Sequence, residues 1–158
     1  AIDAARGAGR KVAFTLSDGF VIDRHRDDFL ALIEGGQIDI LFSNEGEICA
    51  LAQTEDFEAA LARFAPKVPL LISNRSEKGA VAIQGGARFS CAARAVEHVI
   101  DTTGAGDLFA AGFLAGYVEK LPVEACLKLG AAAAAEIISH YGARPEADLA
   151  ALRRELGL

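Results

Sequence analysis

The stretch "DTTGAGDLFAAGFLAG" (residues 101–116) runs a glycine-rich turn directly into an apolar helix. Asp107 stands where the turn becomes the helix. The first N–H groups of a helix have no intrahelical acceptor and lie at the positive end of its dipole. The pattern therefore predicts an anion-binding turn with a carboxylate beside it. When the turn is considered alone, a dipole-favoured aspartate in a first turn is the more economical explanation of Asp107.

Two familiar phosphate-binding motifs do not fit this turn. A Walker A loop requires a lysine that is missing here, and the dinucleotide fingerprint requires a third glycine where Phe109 stands. The remaining functional interpretation is a phosphoryl-transfer site. Backbone N–H groups would stabilise the charge on a transferring phosphoryl group while Asp107 takes the proton of an attacking hydroxyl.

Composition limits the class of protein. The chain has 158 residues, 52% apolar and 24% charged, which predicts a single domain over residues 1–158 with a substantial core. Its net charge of −6 argues against non-specific binding to nucleic acid or an anionic membrane. The three cysteines are scattered, which favours neither a disulfide framework nor a zinc site and leads us to expect a cytoplasmic protein.

The apolar runs of the chain are too short to span a bilayer, and no export signal opens it. The chain contains no methionine. It opens on "AIDAARGAGRKVAF" (residues 1–14), which has the pattern of a helix end leading into a strand. We therefore expect a piece of a longer protein.

Apolar β-branched runs alternate with helical patterns, which is typical of an α/β fold with a mostly parallel sheet. The pair of runs joined through Gly85 and Gly86 predicts a β-hairpin. Strands are predicted at 11–16, 39–42, 68–73, 79–83 and 87–91. Helices are predicted at 26–35, 44–52, 55–64, 107–119, 122–140 and 146–156.

Two further motifs follow predicted strands. "SNEGE" (residues 43–47) has Asn44 three residues before Glu47, and a helix capping box alone would explain both residues. "SNRSEKGAVAI" (residues 73–83) reads as a polar turn that leads into the hairpin.

With these motifs in order, the chain resembles the ribokinase-like (PfkB) sugar and nucleoside kinases. The family has an N-x-x-E motif after a central strand, a T-x-x-E-K-G loop and a D-T-x-G-A-G-D string before a small-residue helix. Here the loop has Asn74 in place of the threonine. The charges of the stretch "LSDGFVIDRHRDDF" (residues 16–29) otherwise suit a solvated helix start. Together with "ILFSNEGEICAL" (residues 40–51) and "AEIISHYGARPEA" (residues 135–147), it resembles the adenosine-kinase-like branch.

The resemblance implies a three-layer αβα, Rossmann-like fold and assigns roles to particular residues. Asp107 is the implied catalytic base, beside an anion hole. Glu47 would act on Mg²⁺ through water. The implied sets are Gly104, Ala105 and Gly106 for the anion hole; Asn44, Glu47, Asn74, Ser76, Gly79 and Ala131 for the nucleotide; and Asp101, Thr103 and Gly142 for a monovalent cation.

The implied reaction moves the γ-phosphoryl group of ATP, with Mg²⁺ and in many members K⁺, to a hydroxyl of a ribose-type sugar or nucleoside. The 5′-hydroxyl of adenosine is the first expectation, and a ribokinase or fructokinase is the close alternative. The matched residues correspond to the C-terminal half of a family member, without the acceptor-binding and lid region. A nucleotide-binding fragment without activity and a scaffold domain remain as alternatives, and a homodimer is compatible with the resemblance.

Overall fold

A five-stranded sheet with the order β1-β2-β3-β4-β5 organises the protein, whose structure is a computed structural model that describes residues 1–158. β1, β2 and β3 are parallel, with Ala13 opposite Ile40 and Ile40 opposite Leu70. The strands are β1 (Ala13–Thr15), β2 (Ile40–Asn44), β3 (Leu70–Asn74), β4 (Ala80–Gln84) and β5 (Ala87–Cys91).

Seven α-helices and one short 3-10 helix, Ser76–Lys78, complete the structure. None of the seven combines the length and the hydrophobicity that crossing a bilayer requires. The α-helices are α1 (Ile2–Gly7), α2 (Gly19–Glu34), α3 (Glu45–Ala52), α4 (Phe57–Phe64), α5 (Ala105–Val118), α6 (Val123–Ile137) and α7 (Leu149–Glu155).

The chain divides into two compact units. The first comprises residues 1–74 and 82–88, and the second comprises residues 75–81 and 89–158. In the first unit, the initial four residues of both β2 and β3 are buried without alternation. Such continuous burial is the pattern of parallel strands covered on both faces.

The predicted hairpin is confirmed, since β4 and β5 are neighbours joined by Gly85 and Gly86. Both glycines have positive φ, 57° and 82° respectively. A two-residue hairpin loop of this type needs positive φ at both positions, which glycine adopts without steric cost.

The second unit contains the helix pair α5 and α6, which approach each other at their glycines. A Cβ added at Gly112 would lie 2.7 Å from the carbonyl oxygen of Leu129, and one added at Gly130 would lie 2.8 Å from that of Phe109. The two helix backbones are therefore nearly in contact, which the small residues of both helices allow.

The start of α2 differs from the prediction. The helix begins at Gly19, seven residues before the predicted position 26, because the Asp18 side chain caps it by accepting a hydrogen bond from the N–H of Phe20. His25 has non-helical backbone angles and kinks the helix. The charged run "DRHRDDF" (residues 23–29) therefore lies inside α2 and not at its start.

Candidate functional site

The N-terminus of α5 presents a carboxylate and free backbone donors together. Gly104 is the N-cap, with φ of 81°. The N–H of Ala105 donates to the carbonyl of Thr102 at 3.1 Å, whereas those of Gly106 and Asp107 donate to no protein acceptor. The Asp107 side chain is exposed and makes no hydrogen bond within the protein. This end of α5 can therefore receive an anion and a hydroxyl from solution.

The carboxylate of Asp101 joins the turn before α5 to the segment after α6. Its Oδ1 accepts the N–H of Thr103 at 2.9 Å, and its Oδ2 accepts the N–H of Gly142 at 3.1 Å. Hydrogen bonds from Thr103 first, and then from Gly142, lower the pKa of Asp101 below its usual range. The structure thus brings Asp101, Thr103 and Gly142 together around an ionised carboxylate.

A second carboxylate holds the segment that carries Gly142. Glu136 accepts hydrogen bonds from the N–H groups of Glu146 and Ala147 and from the His140 ring. Burial alone would raise the pKa of Glu136, but these donors outweigh burial and lower it. Hydrogen bonding to the carbonyl of Tyr141, with a further contribution from Glu136, raises the pKa of His140. Sequence analysis missed this cluster because Glu146 and Ala147 lie ten and eleven residues from Glu136 in the chain.

Asn44 and Glu47 form the capping box at the start of α3. The Asn44 Oδ1 accepts the Glu47 N–H at 2.7 Å, while the Asn44 N–H and Nδ2 donate to the two Glu47 carboxylate oxygens at 2.9 and 2.6 Å. Burial raises the pKa of Glu47 above its usual value; the Asn44 hydrogen bond lowers it and the charge of Asp18 raises it. The pair is therefore a rigid unit at the carboxyl end of β2.

An open cavity of about 390 Å³ lies beside this pair. Asp18 lines it together with Asn44 and Glu47, so two carboxylates border one space at the carboxyl ends of β1 and β2. Sequence analysis did not single out Asp18, although its position just after the first strand was a usable signal. The other lining residues are Ser17, Gly19, Phe20 and Gly46.

The loop expected to bind a nucleotide is a tight turn after β3. Asn74 ends β3 opposite Asn44 in the parallel register. The N–H of Arg75 donates to the carbonyl of Gly79 at 2.7 Å, which closes the turn around exposed Ser76. Gly79 has φ of 87°, and a Cβ there would collide with the Cys91 carbonyl oxygen. Only glycine fits at that position.

Ala131 is the last residue that the resemblance assigned to the nucleotide. It is a half-buried residue of α6, among the small side chains of that helix. It has no polar side-chain atom, so any contact with a ligand would be apolar.

The sequence profile described as pfkB family carbohydrate kinase matches residues 1–149. The chain belongs to the PfkB family. A crystal structure of adenosine kinase from Sinorhizobium meliloti superposes with a TM-score of 0.95 and 44% identity, over 98% of this chain and 47% of that one. The fold is therefore the αβα, ribokinase-like fold that the sequence predicted.

Other PfkB relatives carry different names. A cytidine kinase from Thermococcus kodakarensis is 36% identical over 67% of this chain and 39% of its own length. An Arabidopsis thaliana ribokinase, solved in complex with ribose and ATP, has 30% identity and a TM-score of 0.71, over 90% of this chain and 46% of that one. The chain thus spans roughly two fifths to one half of the length of these PfkB relatives.

Proposed function

We propose that this chain is the nucleotide-binding and catalytic part of an ATP-dependent kinase that phosphorylates a hydroxyl of a ribose-type sugar or nucleoside. The observation that carries the proposal is the N-terminus of α5. There an exposed Asp107 carboxylate stands beside unpaired N–H groups, in a chain of the PfkB family.

In the proposed reaction, Asp107 accepts the proton of the acceptor hydroxyl as its oxygen bonds to the γ-phosphorus of ATP. The bond from that phosphorus to the bridging oxygen of ADP breaks, and ADP leaves. The backbone groups of Gly104, Ala105 and Gly106 bind the charge on the transferring group. Because Ala105 already donates to Thr102, the N–H groups of Gly104, Gly106 and Asp107 would carry most of that binding.

Asn74, Ser76, Gly79 and Ala131 are proposed to contact the nucleotide. The turn after β3 offers exposed backbone and the hydroxyl of Ser76. The small residues of α6 offer an apolar surface on which a flat base can lie. These assignments depend on the positions that the residues share with the family motifs.

Magnesium fits the donors beside the Asn44–Glu47 pair. Asp18 and Glu47 supply hard carboxylate oxygens to one cavity, and the structure contains no group of three or more His, Cys, Asp or Glu side chains that could hold a metal ion. A site with only one or two protein carboxylates suits Mg²⁺, because this ion keeps several of its water ligands. When bound, Mg²⁺ would neutralise phosphate charge. Glu47 would orient the metal's water through lone pairs that Asn44 leaves free, and Asn44 would hold that carboxylate in place.

A monovalent cation, K⁺ in this proposal, fits the junction of Asp101, Thr103 and Gly142. Asp101 is held as an anion, and each carboxylate oxygen that accepts an N–H retains a lone pair. The backbone carbonyls of the two adjoining segments are of the donor type that such a cation prefers.

Adenosine is the acceptor we propose, at its 5′-hydroxyl. The 44% identity with the adenosine kinase from Sinorhizobium meliloti supports adenosine. The similarity to a cytidine kinase and to a ribokinase supports the broader class of nucleoside or sugar acceptors. We further propose that the protein acts in the cytoplasm.

The Asp107→Asn variant tests this function. In protein expressed from the whole gene, the variant is expected to lose about a hundredfold to ten-thousandfold in kcat, because asparagine cannot accept the proton. ATP affinity is expected to stay the same. Phosphoryl transfer is measured with adenosine, cytidine, ribose and fructose as competing acceptors.

An Asp23→Asn variant is a suitable control, since Asp23 is an exposed acid in α2. Near-normal turnover by Asp107→Asn would refute the role of Asp107. A preferred acceptor other than adenosine would correct the substrate and leave the reaction class in place.

A further inference from the structure

The segment 136–147 forms a loop that one side-chain atom closes. The Glu136 Oε1 accepts the N–H groups of Glu146 at 2.7 Å and Ala147 at 2.8 Å, and it contacts the His140 Nε2 at 3.2 Å. Only 9% of the Glu136 side chain and 15% of that of His140 are exposed. We call these four residues the Glu136 clasp.

The middle of the same loop contacts the turn before α5. Gly142 donates its N–H to Asp101, and a Cβ added at Gly104 would lie 3.1 Å from the Cβ of Ala143. Next to these contacts, the N–H of Ile100 donates to the carbonyl of Ile138 at 2.8 Å. The loop closed by Glu136 thus lies directly against the residue that caps α5.

Packing alone does not explain a carboxylate at position 136. Its Oε2 is buried and has no hydrogen-bond partner. Burying an ionised group costs free energy, and an apolar side chain of similar size would avoid that cost. What the carboxylate supplies is one acceptor for three donors, and all three belong to the loop.

We propose that Glu136 is a positioning residue for phosphoryl transfer: through the clasp it holds Gly142 and Ala143 against Asp101 and Gly104, and thereby keeps the α5 N-terminus aligned. The proposal rests on the proposed function, because the aligned N–H groups matter only if they bind a transferring group. Glu136 itself contacts neither substrate nor nucleotide in this proposal.

Two substitutions at position 136 separate the acceptor from the bulk of the side chain. Glu136→Leu removes the acceptor. It is expected to lower kcat about tenfold or more and to change the KM for ATP by less than about threefold, because the N–H groups act most strongly in the transition state. Glu136→Gln keeps an Oε1 acceptor and is expected to stay within about threefold of the wild type. Steady-state kinetics of protein expressed from the whole gene measure both.

Amide hydrogen exchange supplies a readout that needs no activity. In Glu136→Leu, exchange is expected to accelerate at Glu146, Ala147, Gly142 and Thr103, and Glu136→Gln is expected to keep these amides protected. Thr103 is decisive because it donates to Asp101 and not to the clasp. Faster exchange at Glu146 with no change at Thr103 would overturn the proposal, as would an unchanged kcat.

A stability control excludes a merely structural effect. Leu61 is a buried side chain of α4, 2% exposed, and its replacement by alanine lowers stability in the other unit. We expect Leu61→Ala to lower Tm without lowering kcat. If Leu61→Ala lowered kcat as much as Glu136→Leu does, at an equal loss in Tm, the positioning role of Glu136 would be wrong. An inactive wild type would refute the proposed function instead, while exchange at Thr103 would still decide whether the clasp holds the turn.

Discussion

Gly104 illustrates how one residue connects backbone conformation with the site. Its φ is 81°, a left-handed conformation that costs a residue with a Cβ about 1–2 kcal/mol. It also lies against Ala143, so an added Cβ would meet that residue at 3.1 Å. Conformation and contact both require glycine at the cap of α5.

Gly104→Ala is expected to lower the free energy of unfolding by about 2–3 kcal/mol, from left-handed strain together with the displaced contact. The matched control is Gly86→Ala, because Gly86 has φ of 82° with no atom within 4 Å of an added Cβ. Urea unfolding of both variants measures the two effects, and their difference isolates the contact with Ala143. An equal loss in both variants would show that Ala143 contributes nothing.

At the scale of elements, the pair α5 and α6 depends on glycines that face backbone atoms. Gly112→Ala would normally stabilise a helix by up to about 1 kcal/mol. Here the new methyl group would lie 2.7 Å from the Leu129 carbonyl oxygen, so we expect a net loss of about 1–3 kcal/mol. Gly7→Ala in α1 is the control, with open space around its Cβ. Thermal unfolding measures both, and a stabilised Gly112→Ala would contradict the close approach.

Elements set by local chemistry were predictable from sequence. The Asn44–Glu47 capping box and the Gly85–Gly86 hairpin each lie within a few residues, and the structure contains both. The start of α2 was missed because exposed Phe20 and Val21 hide the helical pattern after the Asp18 cap.

The ends of helices and strands were predicted less accurately where tertiary contacts determine them. β1 has three residues where six were predicted, since only Ala13–Thr15 pair with β2. α6 ends at Ile137, three residues early. Just beyond that end, the Ser139 hydroxyl donates to the Glu136 carbonyl and the chain turns into the clasped loop. Contacts such as Glu136 to Ala147 leave no periodic signal, so sequence patterns did not indicate them.

At the scale of the whole molecule, a test of ATP binding distinguishes the proposal of a kinase domain from that of a scaffold domain. If ATP with Mg²⁺ binds the folded state, a concentration of a hundred times Kd stabilises it by about 2.7 kcal/mol. For a chain of this size, that corresponds to a rise in Tm of about 5–10 °C. We expect such a rise at millimolar ATP and Mg²⁺, measured by thermal unfolding, and the same rise in Asp107→Asn. The absence of any shift in the wild type would favour the scaffold alternative.

The opposed glycines of α5 and α6 also limit how this sequence can drift during evolution. When a large side chain grows into a neighbour, a lineage often recovers by shrinking that neighbour. Gly112 faces the backbone of Leu129 and Gly130, and Gly130 faces the backbone of Phe109. Gly130 also faces the Phe109 ring, which a substitution could shorten, but the backbone atoms in both contacts cannot become smaller. No second substitution therefore restores all of the lost space. Related sequences that keep this helix spacing are therefore expected to vary on the outer faces of both helices and to retain glycine along the line where they meet.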